Sequence, residues 1–597
     1  MDKQKKRDDI EEKYTWNLDL IFKSVDEFEK EFKSINSKLE KVLSLKGKIM
    51  ESSDNLYNFY KYYEVLDRSL TKLFMYAALK QDEDTTNSKS QSLKSRVLKL
   101  NEEVSFKTSF ISSEMLSVKY EKVLKLIKED DRLKEYAFDL EKMFRYEKHT
   151  LSESEEEIIT LARNAMGTGS DVFNFIDNAD INLGSIKDED GNLVELTNSN
   201  YIKFMNSNDE SVRIAAFNSM YEYFKGLKNT ISACLKGNIK ENFFISKVKK
   251  FNSPLEMSLY SDNIDISVYK NLIDVVHDNL DIMYDYMDLR KKYLKKDEMH
   301  MWDIYMDLVH LDNDDIPFEK GKEIVFNALK PLGDDYIKNL NKAFKERWID
   351  IYPNKGKKSG AYSWGSYDTV PYLLLNYNNT PDSVVTMAHE LGHSMHSYYS
   401  DKNQNYFNSQ YPIFLAEIAS TVNEVLLNDY MYKNAKTKKE KIFYLTEFLD
   451  KVRTTIYRQT MFAEFEMIMH QKEEKAVPLT EEEFSNTYYE LNKLYYGNSV
   501  ISDDYIRYEW ARIPHFYSSF YVYKYATGLC SAIAIAKDIL SGDEKAKDNY
   551  LKFLSSGCSD YPLNILKSVG VDMTQKSSIE KSLDFAKDKL EELKKLI

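Results

Sequence analysis

The stretch His389-Glu390-Leu391-Gly392-His393 places two imidazoles and a carboxylate within five residues. On a helix, residues four apart share a face, so both histidines can reach one metal ion while Glu390 lies beside the ion's open position. Zinc held by three protein groups acidifies a water and polarises a carbonyl, and a neighbouring glutamate takes the proton. These residues at this spacing predict a zinc hydrolase with Glu390 as general base, and peptide hydrolysis is its default reaction.

Two histidines leave a third ligand to find. His396 follows His389 by seven residues, about 10.5 Å along a helix and too far to share the ion. It is expected behind the ligands, orienting them. The next apolar segment, Phe414-Leu-Ala-Glu417-Ile-Ala-Ser-Thr-Val-Asn-Glu424-Val-Leu-Leu427, carries two acids on one face. Either could ligate. Glu417 is favoured as the ligand and Glu424 as the acceptor that orients a histidine through its other ring nitrogen.

The elements that must position these groups are legible too. Thr380 is a suitable N-cap, Pro381 suits the first helical position and Asp382 favours the first turn. A helix is therefore predicted from Pro381 to about Ser400, with Val384, Ala388, Leu391, Met395 and Tyr398 as its apolar stripe. Asn403 to Pro412 reads as a turn. If the two helices run antiparallel around it, Glu417 comes level with His393 and Glu424 with His389, at about 1.5 Å per residue.

Three segments, His389 to His396, Phe414 to Glu424 and Pro514 to Gly528, resemble the oligoendopeptidase F group of the thimet-oligopeptidase-like zinc metallopeptidases. The likeness runs from Thr15-Trp-Asn-Leu-Asp-Leu20 to the last helices and is specific after about residue 340. It implies one Zn²⁺ per chain on His389, His393 and Glu417, Glu390 as base, and short unfolded peptides cut internally. In the Pro514 segment, His515 is followed by Tyr517, Tyr521, Tyr523 and Tyr525. Such donors could stabilise the oxyanion formed when water attacks a peptide carbonyl. His515 with Tyr523 is the expected pair, and Tyr521 and Tyr517 are expected behind it, Tyr517 on the substrate side.

Upstream, Gly356-Lys-Lys-Ser-Gly360-Ala-Tyr362-Ser-Trp-Gly365 is a donor-rich loop. Pro371-Tyr-Leu-Leu374-Leu-Asn376 reads as a short strand opened by a proline, tolerated at a strand's start or on an edge. An edge strand could take an extended peptide as an added strand, which makes Gly360, Tyr362 and Leu374 candidate substrate contacts. The basic run Lys355 to Lys358 is expected to be a solvated loop, or a positive rim for peptide carboxylates.

Only 18 glycines and 10 prolines in 597 residues, with no proline before Pro254, predict a mainly α fold. Phe28, Phe32, Ile35, Leu39 and Val42 recur at helical spacing, and Ser152-x-x-Glu155, Thr480-x-x-Glu483 and Ser577-x-x-Glu580 each open a plausible helix. A hairpin is expected from Ile181 to Ile186 and Asn192 to Leu196, and another short strand over Met299 to Tyr305. The expected architecture is a two-lobed helical zincin with a few short strands flanking a deep substrate channel. Following the resemblance, residues 1–110 form an N-terminal helical region, 111–200 a helical cap ending in the hairpin and 201–597 the catalytic domain.

A net charge of −14 disfavours nucleic acid as the main partner. The charged opening run and the lack of about 18 uninterrupted apolar residues give no signal peptide or membrane span, so a cytoplasmic protein is expected. Cys234, Cys530 and Cys558 are expected as buried free thiols. Nothing in the pattern encodes an oligomeric state. Two alternatives remain: an exo-acting zinc peptidase, which needs a fixed charge to hold a peptide terminus, and a non-catalytic peptide-binding scaffold, which has no use for Glu390.

Overall fold

In a computed structural model, which describes residues 5–311 and 315–597, the chain is mainly helical with five short strands among the described residues. The first four residues of the charged opening run lie outside it. By contact the chain forms two compact units, each assembled from three separated stretches: Met1–Lys148, Asn313–Tyr430 and Asp538–Gly570 in the first, and His149–Asp312, Met431–Lys537 and Val571–Ile597 in the second.

The first unit begins with a helix at Val25–Leu43, capped by Ser24, whose side chain accepts the Glu27 N–H. Phe28, Ile35, Leu39 and Val42 are buried, as the spacing predicts, and join a core with residues of the Ser53–Glu83 helix. The same core reaches Tyr372 and Leu374 of a three-stranded sheet. Its order is Ile349–Asp350, Tyr372–Leu374, Tyr362–Trp364, with the first pair parallel and the second antiparallel.

That order corrects the expected edge. Tyr372–Leu374 is the central strand, bonded on both sides, and Leu374 is fully buried, so it has no open backbone to offer a peptide. Pro371 precedes the strand, where its missing N–H interrupts no ladder. The edges are Ile349–Asp350 and Tyr362–Trp364.

The basic loop is corrected at one residue, Lys357, while Lys355 and Lys358 are exposed as expected. Lys357 is buried and donates to the carbonyls of Asp350, Tyr352 and Leu375, with Asp350 Oδ1 2.7 Å away. Arg7 donates to the same carboxylate. A lysine in this loop therefore ties it to the sheet instead of forming a solvated rim, because three carbonyls and a carboxylate replace the water it loses.

In the second unit the predicted hairpin forms at Ser185–Lys187 and Leu193–Glu195, and Gly191 takes the left-handed φ of +81° that its turn needs. Met299 to Tyr305 is a turn with a single bridge, His300 to Ile501, instead of a strand. The Ser152 box caps a helix at Glu153–Met166, and Thr480 caps Glu481–Tyr496. The last helix starts at Lys576, so Ser577 lies inside it and is not its cap. Cys234 and Cys530 are buried free thiols, whereas Cys558 of the first unit is partly exposed, 3.3 Å from Lys142 Nζ. No helix among the described residues is long and apolar enough to cross a membrane.

Candidate metal centre

Two helices of the first unit carry the centre. The first spans Pro381–Asn403, with Thr380 accepting the Ser383 N–H and Pro381 in its first turn, as the sequence predicts. Val384, Ala388, Leu391 and Met395 are buried; Tyr398 is half-buried, its neighbour Tyr399 taking the inward position. The second helix spans Ile413–Asn434.

Gly392 sets how closely they meet. A Cβ added there would lie 2.5 Å from Ser420 Cα and 2.8 Å from the Ala419 carbonyl oxygen, so only glycine lets the helix backbones touch at this level. One turn away, the buried amide of Asn423 donates to the Ala388 carbonyl at 3.0 Å and accepts from Tyr336 Oη at 3.2 Å. The two devices fix the register that the side chains need.

That register brings His389, His393 and Glu417 together, with one ligand atom from each lying within 4.8 Å of the others. Glu417 Oε2 is 3.6 Å from His389 Nε2 and 3.8 Å from His393 Nε2. The two Nε2 atoms face each other at 3.1 Å. Neutral imidazoles whose lone pairs meet at that distance repel unless a cation or proton lies between them, so this donor set fits a divalent metal ion. His389 Nδ1 sits 2.6 Å from Glu424 Oε1, which fixes the tautomer that turns Nε2 toward the cluster. Burial holds His393 down at about 3, with His389 adding to the effect and a backbone hydrogen bond to Ala416 opposing it, so its imidazole stays neutral and able to ligate.

Glu390 is buried beside the cluster. Burial pushes its carboxyl up to about 7, against the pull of His389 and a hydrogen bond from the Ser363 backbone, while the Glu417 charge adds to the rise. Ser363 belongs to the edge strand Tyr362–Trp364, and its Oγ meets Ser394 Oγ of the Pro381–Asn403 helix at 2.8 Å. His396 turns elsewhere: it stacks on Tyr411 with ring centres 3.6 Å apart and lies against Phe553, and neither ring nitrogen has a hydrogen-bond partner among the described residues. Tyr362 donates from Oη to Asp82 Oδ2 at 2.7 Å, and Gly360 takes a left-handed φ of +81° with its carbonyl accepting from Asn376.

The second unit gathers the other predicted group. His515 and Tyr525 meet edge to face, Tyr525 Oη lying 3.4 Å from His515 Nε2, and Tyr521 packs edge-on against Tyr525. Tyr523 is fully buried against Tyr269. Tyr517 stacks on Phe173.

The sequence pattern of peptidase family M3 matches residues 203–585, and that of oligopeptidase F matches residues 114–182. The chain belongs to peptidase family M3. It is 39% identical to Oligopeptidase PepF of Bacillus subtilis over 591 residues, spanning 99% of this chain and 88% of that protein. The Oligoendopeptidase F homolog of Borreliella burgdorferi is also 39% identical, over 99% of both chains. A crystal structure of oligoendopeptidase-F from Enterococcus faecium superposes with a TM-score of 0.72 at 33% identity, covering 96% of this chain and 99% of that one.

Within this M3 fold, two residues, Asn423 and Ser363, escaped the sequence reading, and a third, Tyr525, was named there but ranked behind Tyr523. Asn423 lies among Ser420, Thr421 and Glu424, so its residue type did not set it apart. Ser363 acts through its backbone, which no residue type announces. Tyr525 was one of four candidate tyrosines after His515, and only its placement separates it from Tyr523.

Proposed function

We infer that this M3 peptidase is a zinc-dependent endopeptidase acting on short, unfolded oligopeptides. The reading is carried by one observation: two imidazoles and a carboxylate with ligand atoms within 4.8 Å of one another, beside a buried glutamate. His389, His393 and Glu417 would hold the ion, with Glu424 orienting His389. When bound, zinc supplies Lewis-acid polarisation of the scissile carbonyl and acidification of a water. Glu390 takes the proton from the attacking water and returns it to the leaving nitrogen, a transfer suited to a carboxyl that burial has brought toward neutrality.

The edge strand Tyr362–Trp364 is proposed to receive the peptide backbone, with Gly360 and Tyr362 at that edge; Leu374 drops out of the set because it is buried. His515 with Tyr525, and Tyr521 against it, are proposed as the oxyanion donors, and the burial of Tyr523 argues for a packing role. A division of the chain near residues 110 and 200 is part of the same reading, supported by family matches at 114–182 and 203–585. So is a cytoplasmic location, which the free thiols of Cys234, Cys530 and Cys558 suit.

The test is hydrolysis of an internally quenched peptide of about ten residues, comparing wild type with Glu390→Ala at equal zinc content and weighing the products. Internal cleavage by wild type, with loss of several orders of magnitude in a variant that still holds metal, is expected. Products shortened by one terminal residue would replace the endopeptidase with an exopeptidase. Equal inactivity of both proteins would remove the hydrolase.

A further inference from the structure

In the second unit, the segment carrying His515, Tyr521 and Tyr525 is held at its most strained point by a carboxyl that the proposed mechanism does not use. Phe520 is buried at a φ of +59°, in the left-handed region that an aromatic residue rarely enters. Its backbone N–H donates to Glu466 Oε1 at 2.9 Å. Glu466 lies fully inside the unit on the Arg458–Glu474 helix, and His470, one turn along, packs its ring 4.4 Å from that of Phe520. The His470 Nδ1 lies 2.9 Å from the Glu466 carbonyl, which keeps the ring on this face.

Other groups fasten the same segment nearby. Asn238 donates to the Tyr517 carbonyl, Asn242 to Ser519 Oγ and Ser258 to the Ser519 carbonyl. These hold positions 517 and 519, before the left-handed residue. Past it, the chain turns at once into Tyr521 and then the Tyr523–Leu540 helix that bears Tyr525. The Glu466 contact falls between the two donors, where the backbone reverses.

We propose that Glu466 is a positioning residue: by accepting the Phe520 N–H it fixes the left-handed turn that sets His515 and Tyr525 against each other. The inference rests on the reading of His515 and Tyr525 as oxyanion donors. The acceptor oxygen is what the role requires, and charge is not. Burial pushes this carboxyl up to about 8, so the neutral acid is the form present near neutrality and a glutamine resembles it closely. No substrate contact is assigned to Glu466, and its effect reaches the reaction only through the turn.

The experiment uses the zinc-loaded full chain, with kcat and KM for the quenched peptide in wild type, Glu466→Gln, Glu466→Leu, Tyr525→Phe and the Glu466→Leu/Tyr525→Phe double variant. Glu466→Leu is expected to lose about 100-fold in kcat with KM little changed, since small misplacements of a catalytic group carry costs of that size. Glu466→Gln is expected to stay within about threefold of wild type because its acceptor remains. The double variant should be no worse than Tyr525→Phe alone, since a donor already removed cannot be misplaced. Multiplying losses in the double variant, or a folded Glu466→Leu with full kcat, would overturn the positioning role. If Glu466→Leu does not fold, a Glu466→Gln enzyme impaired as deeply as Tyr525→Phe would overturn it by itself. Should wild type fail to cut the peptide, or Tyr525→Phe be fully active, the fault lies with the underlying reading and not with Glu466.

Discussion

At the scale of single residues, the candidate centre separates groups that could hold a metal ion from groups that orient them. His389 presents Nε2 to the cluster because its other nitrogen is engaged by Glu424 at 2.6 Å. A carboxylate there raises the basicity of the imidazole and fixes its tautomer, so Glu424→Gln is expected to weaken zinc binding about 10- to 100-fold. Chelator competition at neutral pH measures this directly, and an unchanged affinity would leave Glu424 as a structural acid only. The tyrosines divide by burial. Tyr525 Oη lies beside His515 while Tyr523 is sealed in the unit's interior. Tyr525→Phe is therefore expected to cost about 100-fold or more in kcat, the scale of losing one oxyanion donor. Tyr523→Phe should leave kcat nearly unchanged, and the opposite ranking from the same steady-state assay would return the role to Tyr523.

At the scale of elements, the metal centre is a matter of helix spacing. Substituting glycine within a helix by alanine ordinarily favours the helix by about 1 kcal/mol. At Gly392 the sign should reverse, because the new methyl would stand 2.5 Å from Ser420 Cα, a backbone atom that cannot swing aside. Overpacking of this kind costs about 1–3 kcal/mol and is relieved only by parting the helices. Parting them draws Glu417 away from His389 and His393, so Gly392→Ala should both lower the melting temperature of the chelated protein and weaken its zinc affinity. A stabilised variant with normal affinity would show that the helices have room which the close approach denies. The element scale is also where the sequence was most and least informative. Caps, apolar stripes and the antiparallel register of two helices follow from local rules, and Thr380, Pro381 and the pairing of Glu424 with His389 all emerged that way. The sheet did not, because whether Tyr372–Leu374 is central or an edge depends on strands at 349 and 362 whose pairing no local pattern specifies. Lys357 misled in another way: its run of lysines looks solvated, and residue type does not show that the chain folds three carbonyls, those of Asp350, Tyr352 and Leu375, around its ammonium.

At the scale of the whole molecule, the chemistry-bearing residues are drawn from stretches interleaved along the chain, since each compact unit is assembled from three separate segments. Contiguous readings of domain structure cannot anticipate that, whereas motif spacing survives it, and so the cluster of His389, His393 and Glu417 was legible while the choice of tyrosine beside His515 was not. The buried acids have a further consequence for the fold. Glu466 is raised to about 8 by burial, opposed only by the Phe520 N–H, against an ordinary 4.5. An acid whose folded value lies above its unfolded one contributes stability that is fully present below about pH 4.5 and is lost as pH rises through about 8. Glutamine cannot ionise and removes this dependence. The melting temperature of wild type relative to Glu466→Gln, measured on the chelated proteins, should therefore fall between about pH 5 and pH 8 by an amount equivalent to a few kcal/mol. Other titrating groups are common to both proteins and cancel in the difference. A flat difference across that window would mean that water or a neighbouring donor stabilises the carboxylate in the folded chain. A difference that grew in wild type's favour would mean that the ionised form is the one the fold prefers.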